Sequence, residues 1–171
     1  VRVASAIEGA RIVHRLDMDT SGIILMARDA DTHRELSRQF QDREVEKTYI
    51  AVVGGVIEQD EGLIDIPIRK DFDNPPCQCV DYEKGKSSQT HWKVLERGCD
   101  RTRLELKPVT GRSHQLRIHL RELGHPILGD DLYAPQELQD MVPRLQLHAL
   151  DLTVMHPATS KPIQFCATCP F

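Results

Sequence analysis

Strand-length apolar runs recur along this chain, while only two stretches carry the three-to-four-residue periodicity of a helix. Residues 49–53 are rich in β-formers and stop at Gly54-Gly55, and residues 45–48 before them also read as extended. Residues 63–66 form a short strand, entered by the turn Asp60-Glu61-Gly62 and closed by Pro67. Residues 89–95, 102–109 and 145–154 complete the series. The middle one alternates, with Leu104 and Leu106 on one side and Arg103, Glu105 and Lys107 on the other. Residues 23–27, set between Gly22 and Arg28-Asp29, have the composition of a buried strand. One helix follows Asp31, its expected N-cap, with Leu36 and Phe40 one turn apart. The other spans residues 113–123, with Leu116, Leu120 and Leu123 as its apolar stripe. Ser113 caps it, or Thr110 or Gly111 begins it, and Gly124 ends it. Residues 71–86 lack periodicity and read as a surface excursion. These elements predict an α+β fold on a mixed, largely antiparallel sheet.

With 171 residues and 40% apolar composition, the chain suits one domain over residues 1–171. It opens on Val1 without a Met or a leader pattern, so a missing N-terminal segment is expected. No apolar run is long enough for a membrane helix. The odd set Cys77, Cys79, Cys99, Cys166 and Cys169 fits a reduced, cytoplasmic setting. Cys166 and Cys169 have the spacing of half a zinc site, but Cys77 and Cys79 make a poor second half, so unpaired thiols are expected. Net charge is −4. Between residues 101 and 121, however, six basic side chains face one acid, Glu105. That segregation suits a shaped polyanion site better than a general nucleic-acid coat.

The polar stretch His14-Arg15-Leu16-Asp17-Met18-Asp19-Thr20-Ser21-Gly22 leads directly into the apolar residues 23–27, a placement typical of a functional loop held by the core. Its residues admit two readings. Asp19, Thr20 and Ser21 satisfy turn backbone while Arg15 and Asp17 form a surface pair, or one acid is a nucleophile or base. Nucleotide-binding glycine motifs, zinc-peptidase motifs and the serine-hydrolase elbow are all missing. His114 and His119 fall on different faces of their helix, so neither a metal nor an organic cofactor is expected. A carboxylate at Asp17, a tyrosine at Tyr49 and an arginine at Arg117 together suggest work on a base or sugar within a polyanion.

The sequence resembles the RluA family of pseudouridine synthases. Residues 14–22 match the family's H-R-L-D-x-x-T-S-G, Lys47-Thr48-Tyr49 its K-x-Y, and residues 110–119 its T-G-R-x-H-Q-L-R-x-H. Residues 124–130 match G-H-P-I-x-G-D, and residues 144–149 resemble R-L-x-L-H-A. The resemblance implies a sheet of two halves meeting at a central catalytic cleft, and conversion of uridine to pseudouridine in structured RNA. It makes Asp17 the catalytic carboxylate, Tyr49 the aromatic packed on the target base, and Arg117 the arginine paired with Asp17. Arg15 enters the RNA, His14 supports the loop, Arg112 and His114 bind substrate, and Leu147, rather than Leu145, lines the pocket. Asp19 becomes a loop residue, and His119, His125 and His148 become hydrogen-bonded structural histidines.

The resemblance also implies a monomer that needs no cofactor. The family's K-P-x-G segment, which precedes these motifs, is not in this sequence. Within the family, residues 62–68, residues 71–76 and the strand at Thr90 are most similar to the dual-specificity branch, which acts on a tRNA anticodon stem-loop and a 23S rRNA stem-loop. That branch carries D-W-P-N-R-P where this chain has Asp71-Phe72-Asp73-Asn74-Pro75-Pro76, a departure at the tryptophan and the arginine. Rival functions are a non-catalytic RNA-binding or RNA-folding protein and a hydrolase releasing free base or cut strands.

Overall fold

The computed structural model describes residues 7–171. In chain order these form β1 (Arg11–Ile12), β2 (Ser21–Gly22), β3 (Met26–Ala27), α1 (Ala30–Asp42), β4 (Glu46–Gly54), β5 (Glu61–Asp65), β6 (Ile68–Lys70) and β7 (Gln78–Val80). There follow β8 (Gln89–Arg97), β9 (Arg101–Pro108), α2 (Gln115–Glu122), α3 (Gln136–Asp140), β10 (Leu147–Met155) and β11 (Pro162–Cys166). A seven-stranded sheet runs in the order β11-β10-β4-β9-β8-β5, with β2 also on β10. Every pairing in it is antiparallel except β2 with β10. Among the described residues no helix is long and apolar enough to cross a membrane.

Alternation along the strands explains where the core lies. Ala51, Val53, Leu104, Leu106, Trp92 and Ile64 share one sheet face through the register of their strands. Leu116 and Leu120 of α2 pack onto that face, so the helical stripe meets the strand stripe. Each fully buried leucine here contributes on the order of 2–3 kcal/mol by leaving water. A second cluster joins Leu36 of α1 to Val45, Leu152 and Val154. β10 serves both clusters because its pairing with β4 shifts between Ala149 and Asp151. That bulge moves the inward positions from 147 and 149 to 152 and 154. The first cluster lies along β4, β9, β8 and β5, the second under α1 at the far end of β10.

Five local features depart from the sequence reading. Residues 23–27 do not form one buried strand. Only Ser21–Gly22 and Met26–Ala27 are paired, and Ile24 is 46% exposed, because Ile23 and Leu25 pack against the α1 cluster and make no ladder. The N-cap of α1 is Asp29, not Asp31. Its carboxylate accepts the Thr32 N–H and hydroxyl, both at 2.8 Å. Helix α2 starts later than expected, after His114, without a side-chain cap. The surface excursion holds β7, which pairs with β6 just before it to close an ordered hairpin, and residues 162–166 add the edge strand β11.

Candidate active site

Asp17 lies in a tight turn ahead of β2. Its carbonyl accepts the Thr20 N–H at 3.2 Å, and Asp19 between them has φ 69°, left-handed backbone that aspartate tolerates better than most residues. Asp19 therefore serves the loop through its backbone conformation. Gly22 ends the turn at φ 111°, where a Cβ would stand 2.1 Å from the Ala149 carbonyl oxygen. Glycine is what lets the loop settle onto β10. On the other side, His14 Nε2 accepts the Leu25 N–H at 2.9 Å and its ring stacks on Phe40 of α1, centroids 4.6 Å apart. Burial pushes the His14 pKa down, which keeps the accepting nitrogen free of a proton.

Gly22, Ala149, Tyr49, Leu106 and Trp92 occupy one cross-strand row. The loop anchor and Tyr49 are thus two strands apart on a common rung. Between them opens a cavity of about 130 Å³ whose walls include Asp17, Tyr49, Leu147, Arg15, Lys47 and Arg112. Burial, and then the charge of Asp17, push the Tyr49 phenol up to about 12, so its hydroxyl stays protonated. Among the described residues neither Arg15, Lys47 nor Arg112 has a carboxylate partner. Burial, then nearby Arg43, push the Lys47 pKa down. The cavity offers an aromatic face, one carboxylate and several cations free to meet an anion.

The opposite wall is set by buried polar residues. Gln115 accepts from the Thr110 hydroxyl (2.7 Å) and the Arg112 N–H (3.0 Å), and donates to the Gln89 carbonyl and Thr90 hydroxyl. All four of its hydrogen-bonding positions are used, which fixes the 110–112 turn. His114 is left-handed at φ 54°, and its backbone N–H donates to Asp17 Oδ2 at 3.2 Å. Its Nδ1 lies 2.6 Å from the Tyr133 hydroxyl, which also accepts the Gln78 N–H at 2.8 Å. Burial is the main cause that lowers the His114 pKa, and the charge of Asp17 opposes it.

Arg117 does not make the expected pair with Asp17. Its Nε and Nη2 bind the two carboxylate oxygens of Asp130 at 2.8 and 2.5 Å, and Nη2 also reaches Asp131 at 2.8 Å. Arg117 is 2% exposed and Asp130 0%. Burial works against the guanidinium charge, but the bonds to Asp130 outweigh it and hold the Arg117 pKa above its usual value. The physical reason is geometric. Asp130 is aimed inward by the Leu132 and Tyr133 N–H groups, each 3.0 Å from Oδ1, and presents a fork to the arginine.

Of the eight residues singled out in the sequence, Asp17, Tyr49, Arg15, Arg112 and Leu147 therefore share one cavity. His14 braces the loop from behind, His114 touches Asp17 through its backbone, and Arg117 stands back on Asp130. Leu145 is core and is not part of the wall. His119, His125 and His148 are hydrogen-bonded to Thr90, Gly54 and Ser21. The expected basic face over 101–121 is broken up. Arg101, Lys107 and Arg121 pair with Asp100, Glu105 and Glu122, and Arg103 donates to the Phe171 carbonyl. Lys47, Gln115, Asp130 and Tyr133 are the residues sequence reasoning missed, although all but Tyr133 fall inside the family motifs. All five cysteines are free.

A protein-family profile described as RNA pseudouridylate synthase matches residues 5–122. The dual-specificity RNA pseudouridine synthase RluA of Yersinia pestis is 53% identical over 165 residues, covering 96% of this chain and 80% of that protein. The Escherichia coli K12 protein of the same description is 52% identical over 163 residues, covering 95% and 74%. Among solved structures, human RNA pseudouridylate synthase domain containing 1 superposes with a TM-score of 0.88 at 31% identity, covering 99% of this chain and 73% of that one. Human RNA pseudouridylate synthase domain containing 4 gives 0.78 at 26% identity, covering 96% and 73%.

Proposed function

Because this chain belongs to the RNA pseudouridylate synthase family, we propose that its cleft converts specific uridines of a tRNA anticodon stem-loop and a large-subunit rRNA stem-loop to pseudouridine, with Asp17 as the catalytic carboxylate. The observation that carries the assignment is the pairing of Asp17 with Tyr49 across a cavity fixed by one rung of the sheet. The relatives that support the substrate class are described as dual-specificity enzymes.

The target uridine leaves its stack, at a cost of a few kcal/mol that is smallest in a loop. Arg15, on the Asp17 loop, fills the vacated space, while Lys47 and Arg112 face the phosphates. Asp17 assists cleavage of the N1–C1′ bond, with its carboxylate oriented by the His114 N–H. The freed uracil turns between Tyr49 and Leu147 and rejoins C1′ through C5. The C5 proton then leaves and N1 carries a hydrogen, so the RNA keeps its mass. Retaining a detached base is a positioning task, which suits a neutral aromatic wall facing an apolar one. Arg117 contributes by holding helix α2, and with it His114, against the cleft. The five free cysteines support a reducing, cytoplasmic setting.

The test is tritium release from uridine-C5-labelled stem-loops, comparing wild type with Asp17→Asn at matched folding. Release by wild type at unchanged RNA mass, falling at least a thousandfold in the variant, is expected. Free uracil, or equal release by Asp17→Asn, overturns the assignment.

A further inference from the structure

Beside the catalytic cavity lies a larger groove, about 720 Å³ in volume against about 130 Å³. The two share Gly111, Arg112 and Ser113, so a strand leaving one enters the other across that turn. The groove is walled by Arg69, Lys70, Lys84, Lys86 and Arg112, with no carboxylate among its lining residues. Two acids of the same segment, Asp71 and Asp81, are turned to other work. Asp71 accepts from the Asp73 and Asn74 N–H groups and the Asn74 amide, and Asp81 from the Glu83 and Lys84 N–H groups and from Arg69. Lys84 and Lys86 have no ion-pair partner among the described residues.

Phe72 stands on the rim, 73% exposed, with the Lys70 ammonium 5.8 Å from its ring centroid. The hairpin that carries it is anchored to the core. Ile68 is buried against Ile118 and Tyr133, and the Gln78 N–H is held by the Tyr133 hydroxyl. An open aromatic face among cations suits an unpaired base with its phosphates, whereas a peptide or a lipid surface would call for contiguous apolar area.

Resting on the isomerase reading above, we propose that this groove is a second RNA subsite. It holds a single-stranded segment flanking the target uridine, with one of its bases stacked on Phe72. The lysines track the backbone, and the sharing of Arg112 couples the subsite to the cleft.

The experiment uses the whole chain and a fluorescent anticodon stem-loop, with binding read by anisotropy over a salt series and turnover by tritium release. Phe72→Leu weakens binding and raises KM about tenfold, the scale of one lost base–aromatic stack, with kcat within twofold. Phe72→Tyr restores both. Lys84→Gln with Lys86→Gln lowers the slope of log affinity against log salt by about 1.4, two single-strand phosphate contacts. Lys161→Gln, far from the groove in sequence and exposed, serves as the charge control. Variants that bind and respond to salt as Lys161→Gln does overturn the subsite. If wild type releases no tritium from any RNA, the isomerase reading fails, while the anisotropy series still decides whether the groove binds RNA. Phe72 is exposed, so Phe72→Leu is expected to melt as wild type does.

Discussion

Replacing Asp130 by asparagine tests the ion pair that the sequence did not reveal. Asp130 accepts four hydrogen bonds, two from Arg117 and two from the Leu132 and Tyr133 backbone. Asparagine can still accept the backbone pair through its carbonyl, but its NH₂ then confronts the guanidinium. A buried arginine without its carboxylate costs about 3–5 kcal/mol. The remaining partner, Asp131, has a side chain 65% exposed and offsets at most about 1 kcal/mol. The net loss is about 2–4 kcal/mol, or a fall in Tm of roughly 4–16 °C for a chain of this size. Urea unfolding measures it directly. Adding Arg117→Met removes the stranded charge, so the double variant is expected to be more stable than Asp130→Asn alone. Asp17→Asn, which keeps the acceptor for the His114 N–H, changes stability by less than about 1 kcal/mol. The reasoning is refuted if Asp130→Asn loses under 1 kcal/mol, or if Asp17→Asn loses as much, since that would put the arginine on Asp17.

Gly22→Ala drives a Cβ into the Ala149 carbonyl and is expected to cost about 3 kcal/mol and at least a hundredfold in turnover. Gly124→Ala, at φ 90° but in open space, costs about 1 kcal/mol and leaves turnover unchanged; urea melts and tritium release separate the two. His14, His114 and His119 all have pKa values held below 6.5, mainly by burial. The unfolded chain therefore takes up protons first as pH falls. Their contribution is complete above pH 6.5 and is lost as pH drops through the folded values, so the urea midpoint declines over that window, less steeply in His119→Gln. Tyr49→Phe retains turnover within about fivefold while Tyr49→Ala loses at least a hundredfold. With the phenol at about 12, the wild-type pH–rate profile shows no Tyr49 limb below pH 10.

What could be read in the sequence follows from how each element is stabilised. Strands β4, β8, β9 and β10 are paired on both sides, and their alternation is written into Ala51, Leu104 and Leu106 as period-two apolar positions. The hairpin β6–β7 has three rungs and little alternation, so nothing in residues 68–86 announced it. Residues 23–27 misled because apolar residues that pack on a helix resemble those that form a ladder. The cap of α1 slipped by two because Asp29 and Asp31 are both acids, and only the fold puts the first within reach of Thr32. At the site, the quoted motifs brought Asp17, Tyr49, Arg15, Arg112 and Leu147 to one cavity. Arg117 found its carboxylate thirteen positions on, beyond a helix and a turn, in a pairing that depends on the shape of the 124–130 loop. The cationic groove is likewise assembled from segments more than twenty residues apart.

The rung that joins Gly22, Ala149 and Tyr49 has a mechanical consequence. The loop anchor at Gly22 and the strand that carries Tyr49 are spaced by hydrogen-bonded ladder steps of about 4.8 Å, and such steps break before they stretch. A slot of that kind has one width. On that side the cleft cannot part like a clamshell to admit a nucleotide that is still stacked in a helix, nor close down afterwards to grip it. The deformation must fall on the RNA, and a stem-loop whose uridine is cheap to extrude is chosen over one whose uridine is not. Selectivity would then be read partly from the stiffness of the nucleic acid, at positions the protein never touches.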